Sequence, residues 1–150
     1  EVPENGTARF SVAASNLGIA SGPVHVIPFA TNSEDAGELA FAISDAAISV
    51  VEGLDGIPTL PLTLSICSTD ADDGTCLGEF AASQSFSEFA SGGAVAFTIR
   101  VQGQGESVAL SPGVNRVGVA FVEVSSLDSD ANDSVRLIGA GSIAVRTVPD

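Results

Sequence analysis

The sequence predicts an all-β fold: a two-sheet antiparallel sandwich of seven to nine strands, in a single domain spanning residues 1–150. Three observations predict it. Apolar residues alternate with polar ones at period two. Turn signals recur at regular distances, in NSEDAG, GLDGIP, DADDG, ASGG, GQGE, SPGVN and DSDAND. Two cysteines, Cys67 and Cys76, bracket one of those turns between strand-like flanks.

Residues 8–14 place Ala8, Phe10 and Val12 on one face and Arg9 and Ser11 on the other. Residues 23–30 are rich in β-branched side chains. Pro28 lacks a ladder donor, which marks an edge strand or a bulge there. Residues 36–53 read either as an amphipathic helix on Leu39, Ile43, Ala47 and Val50, or as two strands, 39–43 and 47–51, turning at Ser44-Asp45. The β context favours the strands. Leu60, Leu62, Leu64 and Ile66 alternate with Pro61, Thr63 and Ser65, and Val95, Phe97, Ile99 and Val101 alternate with Ala96, Thr98 and Arg100. Residues 116–124 are apolar on both faces, as a central strand would be. In residues 134–147 the Gly-Ala-Gly at 139–141 suggests a bend or bulge between two strand halves. The expected core includes Leu62, Leu64, Phe97, Ile99, Val119 and Phe121.

The chain is long enough to bury a core without metals. It has eight Phe but no Trp, Tyr or Met, so a carbohydrate platform would lack its usual aromatic side chains. Net charge is −14 and there is no Lys. Phosphate backbones and anionic membrane surfaces are repelled by such a chain, so neither nucleic acid binding nor membrane insertion is expected. No apolar run approaches the ~20 residues of a membrane helix. The opening EVPENGTARF reads as a mature N-terminus after cleavage or as an excised fragment.

Cys67 and Cys76 are expected to form a disulfide closing a hairpin loop, which places the chain in an oxidising, extracellular compartment. Zinc would need four ligands, and the one histidine, His25, is distant in sequence. A Ser-His-Asp triad would have to use His25. It lies in VHVIPF, an ordinary strand context, and no G-x-S-x-G elbow is present. No catalytic set emerges, and an enzyme is not expected. The glycines of VQGQGES lie between β segments and open no helix, so they do not read as a phosphate loop. Asn5-Gly6-Thr7 and Asn132-Asp133-Ser134 are glycosylation triplets of ordinary chance frequency.

Two acidic loops are candidate calcium sites, because calcium takes six to eight oxygens from carboxylates, amides and carbonyls. Asp128, Asp130, Asn132 and Asp133 begin like an EF-hand loop. They then depart from it, with Asp133 where glycine is needed and no Glu at the twelfth position. Asp70, Asp72 and Asp73 are the weaker set, and a solvated turn explains either loop.

Four segments carry a resemblance: LPLTLSICSTDADDGTC, FTIRVQGQG, SPGVNRVGVAFVEV and GAGSIAVRTV. Over roughly residues 58–148 they resemble an immunoglobulin-like β-sandwich repeat domain of secreted bacterial proteins, of unassigned function. The resemblance implies an immunoglobulin-like fold and carries no catalytic residues; the 34–57 stretch looks like an addition to the family pattern. The function expected from all this is a non-catalytic extracellular structural or interaction module: a filament, surface-layer or matrix subunit, or an adhesin domain. A calcium- or carbohydrate-binding module is the alternative. The expected partners are copies of the chain or other cell-surface proteins, met through β edges or a terminal strand.

Overall fold

The computed structural model describes residues 1–18, 22–32, 60–70, 72–87, 90–124 and 135–150. These residues form nine strands and, among them, no helix: β1 (Val2–Pro3), β2 (Thr7–Ser15), β3 (Val24–Thr31), β4 (Leu62–Thr69), β5 (Gln84–Phe86), β6 (Ala94–Gly103), β7 (Arg116–Val124), β8 (Val135–Ala144) and β9 (Thr147–Val148). One sheet has the order β2-β6-β4 and the facing sheet β5-β3-β7-β8, and every pairing within these two sheets is antiparallel. The expected two-sheet antiparallel sandwich is therefore present. A third, two-stranded sheet pairs β1 with β9 in parallel.

Period two sets which residues face inward. In β2 the even-numbered residues are half-buried and the odd-numbered ones exposed, as the alternation requires. Phe97 of β6 is fully buried at the centre of the sandwich. Its ring meets Phe86 edge-on at 5.7 Å and Phe121 at 6.0 Å, so one aromatic cluster joins the two sheets. Ile66, Ile99, Val24, Val26, Val117 and Val119 complete the fully buried layer around it. Leu62 and Phe121 are buried as expected. Leu64 is only half-buried, although it packs on the same cluster; β4 is the last strand of its sheet, so its inward side chains have a strand neighbour on one side only.

β7 lies between β3 and β8, and Ala120 and Val122 on its second face are buried too. Its apolar character on both faces follows from that central place. β5 pairs only with residues 24–26 of β3, so no described strand flanks Pro28 on that side. The missing N–H of Pro28 is tolerated there. In β8 the register with β7 shifts by one residue, because Phe121 faces Gly139 and Val122 faces Leu137. Ile138 is the extra residue, so the bulge expected near the glycines sits directly before them. The 36–53 stretch, read as helix or strands, lies outside the described residues.

The N-terminal segment is held in place. Val2 and Glu4 donate backbone hydrogen bonds to Arg146 and Val148 carbonyls, at 3.0 and 2.9 Å. Thr7–Ser15 pairs along its whole length with β6. The terminal segment named above as a route of association is thus seated within the chain's own sheets. β6 pairs one side of Thr7–Ser15, and among the described residues no strand pairs with its outer edge.

Candidate functional site

Cys67 and Cys76 are disulfide-bonded, with Cα atoms 5.7 Å apart. Cys67 is the buried end of the bridge, on the outer face of β4. A backbone bridge between Thr69 and Cys76 aligns the two ends of the loop.

Inside that loop the Asp70 and Asp73 carboxylates are turned toward the loop itself. Asp70 Oδ1 accepts from the Asp72 N–H at 2.8 Å. Asp73 Oδ1 accepts from the Thr75 hydroxyl at 2.7 Å and the Thr75 N–H at 2.8 Å. Those two bonds, the hydroxyl foremost, hold the Asp73 carboxyl below its usual value. Gly74 takes the positive φ of 74° that the turn demands. This is the geometry of a self-capped turn. The other candidate set, Asp128, Asp130, Asn132 and Asp133, lies outside the described residues. Among the described residues, no three of His, Cys, Asp and Glu converge on a common point.

His25 is half-buried on β3, across from Ser85 on β5 and Val122 on β7. A charged residue that the sequence reading passed over is Glu123 on β7. It is buried, at 5% exposure, and sits in the inward phase set by Val117, Val119 and Phe121. Arg136, its register partner on β8, forms an ion pair with Glu123 Oε2, and the Gly22 N–H donates to Oε1 at 2.8 Å. A lone acid after the apolar run of residues 117–122 was the available signal, and it marks where the sandwich end is closed by charge.

A groove of about 360 Å³ lies between the edges of β2 and β8. Its walls include Val12, Ala14, Leu17, Phe121, Ile138 and the 139–141 stretch, and no charged residue lines it. The groove exists because β8 is under-filled. Gly139 and Gly141 stand opposite Phe121 and Val119, whose side chains enter the core, so the glycines present only hydrogen to the interior. A Cβ at Gly141 would meet nothing within 4 Å, and one at Gly139 would meet only Phe121 Cδ2 at 3.8 Å.

Both flanking strands are terminal in their sheets. The neighbour orders β2-β6-β4 and β3-β7-β8 match B-E-D and C-F-G of an immunoglobulin sandwich. In that scheme a strand A lies beside strand B. Here no described strand occupies that place beside β2, because the segment ahead of β2 forms only the two-residue β1 and pairs with β9. Among the described residues no strand pairs with the outer edge of β2 or of β8, and the floor between the two rims is apolar.

Among the described residues no helix is long and apolar enough to cross a membrane. No protein-family model, curated protein or solved structure matches the chain.

Proposed function

We propose that this domain is a non-catalytic structural or interaction module of the cell exterior, and that copies of it associate through the β2 and β8 edges, which no described strand pairs. The observation that carries this reading is the uncharged groove between those two edges. In a chain of net charge −14, copies repel over most of their surface. A rim without carboxylates is where two copies approach at least cost. β2 is also compatible with itself. Antiparallel pairing of Thr7–Ser15 about Ser11 sets Arg9 against Ala13 of the second copy, so no like charges meet across the new ladder. The disulfide supports an oxidising, extracellular setting. Filament, surface-layer and matrix subunits, and adhesin domains, all fit this mode of assembly.

Sedimentation velocity across a sodium chloride series tests the proposal. Salt screens the repulsion between copies, so association should strengthen as salt rises. Ala14→Lys places a charge in the groove and should abolish association. Because Lys also reduces the net negative charge, that loss would not come from added repulsion. Unchanged association in Ala14→Lys would remove the groove from the account.

A further inference from the structure

Three of the chain's five arginines, Arg9, Arg100 and Arg116, lack an acidic partner among the described residues, and the first two stand together. Arg9 on β2 and Arg100 on β6 are directly opposite in the antiparallel register, on the outer face of the three-stranded sheet. Arg136 pairs with Glu123 and Arg146 with Glu1, while Arg116 is bound to Ser142 and the Pro112 carbonyl. Like charges directly opposite on a sheet are destabilising. In a chain with 19 acidic residues and five cations, this juxtaposition is the reverse of what random placement of charges would favour.

What lies over the pair is a single aromatic ring. The segment after Cys76 runs back along β4, held by mutual backbone bonds between Ile66 and Ala81 at 2.8 and 2.9 Å. That return places Phe80 against both guanidinium groups, with its centroid 4.5 Å from Arg100 Cζ and 5.2 Å from Arg9 Cζ. The negative face of the ring offsets part of the repulsion. Arg100 is fixed further, since its Nε donates to Ser65 Oγ at 2.9 Å. The terminal nitrogens of both side chains keep donors for an oxygen ligand, and planar guanidinium groups suit a carboxylate in particular.

We propose that Arg9 and Arg100, backed by Phe80, form a carboxylate-binding site, and that the carboxylate it takes is an acidic side chain of a second copy of this chain. The second copy as source rests on the association proposed above; the site itself does not. Charge complementarity selects this source. The chain carries 19 acidic residues against five cations, so each copy offers the ligand in excess, and this patch attracts it. The site opens on a sheet face while the groove opens at a sheet edge, so one copy has two distinct places to be met.

The test is nitrogen-15 NMR of the arginine Nε–H signals in the full chain. Two series are run: sodium acetate replacing sodium chloride at constant ionic strength, and dilution of the protein without acetate. The site predicts that the Arg9 and Arg100 signals shift with acetate, that Arg116 does not, and that the same two signals shift on dilution as copies separate. In R9Q/R100Q, checked for retained fold by circular dichroism, sedimentation should show weaker association than the parent. No selective response to acetate overturns the site. A response to acetate without one to dilution, in a protein that sedimentation shows to associate, overturns the second copy as the source. A protein monomeric in sedimentation overturns the proposed association, while the acetate series still decides the site.

Discussion

Phe97 is the residue on which both sheets depend. It is fully buried and touches an aromatic ring from each of β5 and β7. Phe97→Ala should cost about 3–5 kcal/mol in urea unfolding, by lost transfer energy and the cavity left behind. A cost below ~1 kcal/mol would mean that the centre collapses freely around the gap. Asp73 offers a finer check. Its pKa is lowered, chiefly by the Thr75 hydroxyl, so its contribution to stability is present above the ordinary aspartate value of 3.8 and fades as pH falls through the lower folded value. The side chain is fully exposed, so the effect on stability is small. Carbon-detected NMR should find the Asp73 midpoint below 3.8, and Thr75→Val should move it upward. At this scale the sequence was informative wherever side chains alternate. Phe97, Ile99 and Val119 were legible because period two leaves no other face for them. Glu123 was not, because its burial depends on Arg136 arriving from another strand with its register shifted by Ile138.

Among the elements, the long strands were legible and the short ones were not. β2, β4, β6 and β7 each run long enough for alternation to show. β1, β5 and β9 have two or three residues apiece, too few to carry a period, and exist because a neighbouring strand accepts them. The glycines at 139 and 141 were read as a bend or bulge. Their larger consequence, the hollow beneath β8, becomes visible only when β2 is known to stand across from them. The disulfide was readable from spacing and strand-like flanks, and the Arg9–Phe80–Arg100 cluster was not, since it needs the return of the chain along β4. The calcium candidates at 128–133 lie outside the described residues. The Cys67–Cys76 loop should stabilise the fold by about 2.5 kcal/mol through loop closure. Intact mass without reductant should be two hydrogens below that of the reduced chain. Chemical denaturation with and without reductant should show the loss, and two free thiols in the native protein would contradict the structure and remove the main support for an extracellular setting.

At the scale of the whole molecule, fold and charge pull in opposite directions. Two terminal strands whose outer edges no described strand pairs invite strand addition, and natural sheets commonly defend such edges with lysine, which this chain lacks. A net charge of −14 keeps copies apart until the solution screens it. Assembly is therefore expected to depend on ionic conditions and not only on concentration. The measurement that tests this most directly is sedimentation velocity of the wild-type chain and Ala14→Lys over the same sodium chloride series. The account predicts association of the wild type that grows with salt and is absent from the variant. A wild-type chain that stays monomeric at every salt concentration would contradict it.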